Sequence, residues 1–130
     1  LNKFIITFCA IMTFSSITAF AATTILNYDG TGIGAKMSVN SFTLFSTTTV
    51  TINHTISAWT GVPSGSTPTL KIQVYKKNLT GAYTTIGNEF QKTGTESTSK
   101  SYSLGNDNYK LYFYTSHSTT KANINVYVTK

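Results

Sequence analysis

Thr49-Val50-Thr51-Ile52-Asn53-His54-Thr55-Ile56-Ser57-Ala58 alternates strictly, with Val50, Ile52, His54, Ile56 and Ala58 on one parity and Thr49, Thr51, Asn53, Thr55 and Ser57 on the other. An extended chain points successive side chains to opposite faces, so this run predicts a strand with one apolar face and one polar face. Working outward, the same period recurs three times. Leu70, Ile72 and Val74 alternate with Lys71, Gln73, Tyr75 and Lys77. Tyr109, Leu111 and Phe113 alternate with Lys110, Tyr112 and Tyr114. Ala122, Ile124, Val126 and Val128 alternate with Asn123, Asn125, Tyr127 and Thr129. Weaker strands are expected at 23–28, 35–45, 82–86 and 98–104. No stretch carries a sustained 3.6-residue apolar period.

The breaks between these runs are turn-like. Gly30-Thr31-Gly32-Ile33-Gly34 reads as a flexible loop, and Gly61 to Pro68 as a longer one that holds both prolines. Asn78-Leu79-Thr80-Gly81 and Gly105-Asn106-Asp107-Asn108 read as hairpin links, because Asn, Asp and Gly tolerate tight-turn geometry. About seven or eight short strands, each with one polar face, predict an all-β fold: a two-sheet antiparallel β-sandwich, with a small β-barrel as the alternative.

The first residues have a different character. One positive charge, Lys3, precedes an apolar run from Phe4 to Phe14, and Ala19-Phe20-Ala21 supplies small residues in the A-x-A pattern of a cleavage site. Residues 1–21 are therefore expected to be a signal peptide and 22–130 the β-sandwich domain, secreted and extracellular, beginning at Ala22. The apolar run is too short for a spanning helix, which needs about 20 such residues. Removing those 21 residues from 130 leaves 109, the size of one domain. That part is cysteine-free, since Cys9 lies in the apolar run. Small secreted domains of eukaryotes usually rely on disulfides, so a bacterial source is expected.

Charge narrows the partners. The chain is basic, with a net charge of +6, yet every cation is Lys and none cluster beyond Lys76-Lys77. Nucleic-acid recognition favours clustered charge and the bidentate fork of Arg, so no nucleic-acid partner is expected. A mild attraction to an anionic cell wall or membrane surface fits better.

The chemistry-bearing residue types are sparse, and an enzyme is not expected. Gly30-x-Gly32-x-x-Ala35 has the spacing of a dinucleotide fingerprint, but strand-like sequence follows it and no acid stands about 20 residues on. Glu89 and Glu96 are the one close pair of acids, in a segment that reads as a polar loop. His54 shares parity with core residues, and His117 sits in a Ser/Thr turn with no oriented acid beside it. Zinc ligands are lacking, and the Asn and Asp groups at 27–29 and 106–108 read as turns, so no metal or cofactor is expected.

What remains is aromatic. Tyr75, Tyr112, Tyr114 and Tyr127 all fall on the polar parity of their strands, near Lys71, Lys77 and Lys110. On one sheet they would form an exposed patch, and a tyrosine presents a flat apolar ring with a hydroxyl at its rim. Trp59, opening the Gly/Pro loop, is either a plug at a strand end or a binding anchor. The expected function is that of a small non-catalytic binding module for a cell-surface polymer or protein. The alternative is a secreted membrane-active toxin or antimicrobial protein. Such a toxin would act as an oligomer, because one chain of this size is too small to close a pore.

Overall fold

A computed structural model describes residues 21–95 and 97–130. The expected signal peptide, apart from Ala21, and Glu96 lie outside the described residues. Nine strands follow in order: β1 (Thr24–Ile33), β2 (Ala35–Met37), β3 (Phe42–Leu44), β4 (Thr48–Thr60), β5 (Thr69–Lys77), β6 (Tyr83–Thr93), β7 (Thr98–Leu104), β8 (Asp107–Thr115) and β9 (Lys121–Thr129). They form two antiparallel sheets, one ordered β1-β9-β4-β7 and the other β2-β8-β5-β6, with β3 also paired to β8. Neither sheet closes on itself, so the architecture is a β-sandwich and not a barrel.

The four alternating runs form the centre of the structure. β4 and β9 are the interior strands of one sheet, β5 and β8 of the other, and their apolar parities face each other across the sandwich. Val50, Ile52, Ile56, Leu70, Ile72, Val74, Leu111, Phe113, Val126 and Val128 are fully buried there. Tyr28 of β1 stacks on Phe113 of β8, with ring centroids 5.3 Å apart and planes 10° from parallel, and so ties the two sheets together. Fully burying one such side chain contributes roughly 1.5–3 kcal/mol.

Several elements depart from the sequence expectation, each for a physical reason. The glycine-rich segment at 30–34 is not a loop: β1 runs through it with a bulge between Gly30 and Ile33 against β9. Gly32 takes φ +63°, and its N–H donates to the Asn123 side-chain oxygen at 2.8 Å. Asn27 and Asp29 accordingly lie within β1, where Asp29 accepts a hydrogen bond from Asn125 at 2.5 Å. The 35–45 region divides into β2 and β3, because Ser38 turns its hydroxyl inward to accept the Leu111 N–H at 3.0 Å and donate to Asn40 O at 2.8 Å.

The 105–108 link is not a hairpin, since β7 pairs with β4 and β8 with β5, so the segment carries the chain from one sheet to the other. Buried Tyr109 secures this crossing by donating its hydroxyl to Gly105 O at 2.8 Å, and burial holds that hydroxyl above its ordinary pKa. Beside it, Lys76 and Asp107 pair at 2.9 Å, and the hydrogen bond from Lys76 holds the Asp107 carboxyl below the usual carboxylate range. The link after β5 is a hairpin as expected, closed by Asn78 N–H to Ala82 O at 2.7 Å.

His54 is 1% exposed, on the apolar face of β4, and its ring packs 5.3 Å from that of Phe90. We expect His54→Ala to cost about 1–3 kcal/mol through the cavity and the polar contacts it disturbs. Urea denaturation checks this. Unchanged stability accompanied by lost binding would instead assign His54 to function.

Candidate functional site

The eight residues singled out in the sequence separate into two groups. Five share the outer face of the sheet that contains β5 and β8. Register sets Lys71 opposite Tyr114, Gln73 opposite Tyr112, and Tyr75 opposite Lys110. Directly opposed residues lie on the same face, so Tyr75, Tyr112 and Tyr114 form a row. Centroid distances are 5.7 Å from Tyr75 to Tyr112 and 5.7 Å from Tyr112 to Tyr114. The rings are tilted and half-buried.

The other three are elsewhere. Tyr127 is exposed on β9, in the opposite sheet, so the expected face of four tyrosines is a face of three. Lys77 continues the parity of Tyr75 but sits at the exposed end of β5, beside the hairpin and outside the groove lining. Trp59 is half-buried and packs against the core. Between Ile56 and Ala58, β4 advances two residues while β9 advances one, from Ile124 to Asn123. That bulge inverts the parity of β4, placing Trp59 opposite buried Ala122 on the inner face. Its indole N–H donates to Gly94 O at 3.3 Å.

The tyrosine row forms the floor of an open groove of about 670 Å³. Sequence reasoning missed the residues that shape its sides. One side comes from a distortion of β6: between the pairs Ile72–Phe90 and Val74–Ile86, β5 advances two residues and β6 four. Gln73 holds this bulge, its side-chain N–H group donating to Ile86 O at 2.9 Å and Gly87 O at 3.2 Å. What Gln73 can still offer a ligand is its amide oxygen. The bulge lifts Glu89 over the sheet, where its carboxylate meets the Lys71 ammonium at 3.0 Å and accepts a hydrogen bond from the Tyr114 hydroxyl. Lys71 also lies 5.5 Å over the Tyr114 ring. The segment that the sequence pattern assigns to a polar loop is, at Glu89, part of β6. The signal that would have identified it is long-range pairing, which a single sequence does not carry.

The other side is built by the chain crossing between sheets. Residues 116–120 carry β8 into β9, and their turn is pinned by the Thr115 hydroxyl, near Gly34 O at 3.2 Å and Thr120 O at 2.8 Å. Thr119 donates its hydroxyl to Gly61 O at 2.9 Å from the other direction. This places His117, Ser118 and Lys121 along the rim, above Gly34 and Ala35. Exposed Ala35 stands opposite Tyr114, and its small side chain leaves that ring open on the β2 side.

Chemically, the site is a floor of three tilted aromatic rings flanked by an amide, an ion-paired carboxylate and a basic rim. Among the described residues, no three of His, Cys, Asp and Glu gather as metal ligands. No protein-family model matches the chain, and neither a curated protein nor a solved structure matches it.

Proposed function

We propose that this protein is a secreted, non-catalytic binding module whose tyrosine groove receives a glycan chain of a cell-surface polymer. One observation carries the reading: three tyrosine rings in a row at even 5.7 Å steps, on a solvent-facing sheet. A sugar ring has an apolar face that packs on an aromatic ring, and three adjoining rings offer such surface to successive sugars of a chain. The hydroxyls of the same sugar need directed partners, and Gln73 and Glu89 stand beside the rings to supply them. A site of this kind orients a ligand by a few fixed polar groups over an apolar base. The groove is open along the sheet, which suits a segment of polymer better than an enclosed small molecule.

The test is retention on purified, insoluble cell-wall polysaccharide, with elution by soluble fragments of that material. Anionic and zwitterionic liposomes run in parallel. Glycan retention without dye release from the liposomes is the expected result. Dye release with no glycan retention would replace this reading with the membrane-active one, and capture only by a wall-associated protein would replace the glycan by that protein.

A further inference from the structure

We propose that the glycan is anionic and that Lys121 recognises its charge; the inference rests on the glycan reading above and specifies its ligand class. The two sides of the groove differ electrostatically. Strand order places β6 and β2 at opposite edges of the sheet, so Glu89 and the Gly34–Lys121 rim face each other across the tyrosine floor. On the β6 side the Glu89 charge is matched, by Lys71 at 3.0 Å and by the Tyr114 hydroxyl. On the β2 side it is not. Lys121 lines the groove, and among the described residues it has no carboxylate partner, the ion pairs there being Lys71–Glu89 and Lys76–Asp107.

The position of the Lys121 ammonium depends on its neighbour. A Cβ added to Gly34 would sit 2.7 Å from Lys121 Nζ, so the ammonium lies directly over the bare Cα of that glycine. Ser118 contributes a hydroxyl to the same rim, and the contact of 3.0 Å between Ser116 Oγ and His117 Nδ1 fixes the imidazole with its Nε2 edge as the remaining donor or acceptor. A sugar lying on Tyr112 and Tyr114 would therefore meet an uncompensated cation and two hydrogen-bonding groups at one edge. That edge suits a carboxylate on the sugar ring or a phosphodiester between sugars, and charge complementarity excludes a cationic polymer.

The experiment uses oligomers of galacturonate, the same oligomers fully methyl-esterified, and an oligomer of pyranose sugars joined by phosphodiesters, each titrated calorimetrically into the protein at low and high salt. Esterification keeps the rings and removes the charge. We expect the wild type to bind at least one of the two anionic oligomers about ten-fold more tightly than the ester, with the preference shrinking as salt rises. The stronger of the two identifies carboxylate or phosphate. Lys121→Gln should erase the preference, weakening the anionic oligomers about ten-fold more than the neutral ester. Gly34→Ala keeps every charge and displaces the ammonium, so it should reduce the preference several-fold, and the absence of a positive φ at Gly34 lets Ala be accepted. Lys77→Gln, which removes one charge at the opposite end of β5 from the Lys121 rim, should leave the preference as it is. Equal affinity for the ester and both anionic oligomers would overturn the inference while leaving the glycan reading intact, as would equal losses in Lys121→Gln and Lys77→Gln. Failure to bind any of the oligomers, or the wall polysaccharide itself, would overturn both.

Discussion

Replacing Tyr112 and Tyr114 together by Ala is expected to abolish retention on cell-wall glycan while the protein remains folded. Truncating a central aromatic contact typically costs 2 kcal/mol or more, which is about 30-fold in affinity for each ring. The two rings are adjacent members of the 5.7 Å row, so removing both leaves Tyr75 alone and no continuous stacking surface. The cost in stability is smaller. The rings are half-buried on the outer face, and their cross-strand contacts contribute roughly 0.2–1 kcal/mol each. Glu89 loses one partner and keeps Lys71. Binding isotherms, with circular dichroism as the folding control, make the measurement. Tyr127→Ala is the discriminating comparison: Tyr127 is 41% exposed on the opposite sheet and should leave affinity unchanged. Undiminished binding by the double variant, or an equal loss in Tyr127→Ala, would remove the row from the site.

The second large effect is expected at Gly61, where backbone conformation and space both exclude a side chain. Gly61 has φ +64°, and a Cβ there would lie 2.1 Å from the carbonyl oxygen of Thr119. The left-handed conformation alone costs a non-glycine residue about 1–2 kcal/mol. The clash adds to this, because a backbone carbonyl moves only with its loop. We expect Gly61→Ala to lose at least about 3 kcal/mol, at the upper end of ordinary single substitutions. For a domain of this size that lowers Tm by at least about 10 °C. Gly65→Ala separates the two contributions, since Gly65 has φ +75° but no heavy atom within 4 Å of the position a Cβ would take. It should lose only the conformational part. Equal destabilisation of the two variants would mean that the Thr119 contact carries nothing. Thr119 belongs to the turn that presents His117 and Lys121, so in Gly61→Ala the preference for an anionic ligand should fall along with stability.

How much of this was legible beforehand differs between fold and site. The β-sandwich followed from four alternating runs, and these became the four interior strands. Of the eight candidate site residues, five gather on one face: Tyr75, Tyr112, Tyr114, Lys71 and Lys110. Trp59 was turned to the inner face, half-buried against the core, by a one-residue bulge, which no local pattern announces. Glu89 came into the site through a bulge in β6 whose carbonyls are held by Gln73, a residue 16 positions away in the chain.

The sequence by itself determined which residues face apart within a strand, because period two is a property of neighbouring positions and a one-residue slip would expose Leu111 and Phe113. It also determined the all-β character, the basic charge and the pairing of tyrosines with lysines on polar parities. Only the tertiary structure decided which strands are neighbours. Tyr112 and Tyr127 have the same local signature, yet β8 lies in one sheet and β9 in the other. The physical reason is that sheet order is settled by burial of whole apolar faces and by where the chain can cross between sheets. The crossing at 116–120 that separates those two tyrosines is the same one that brings Lys121 to the edge of the groove.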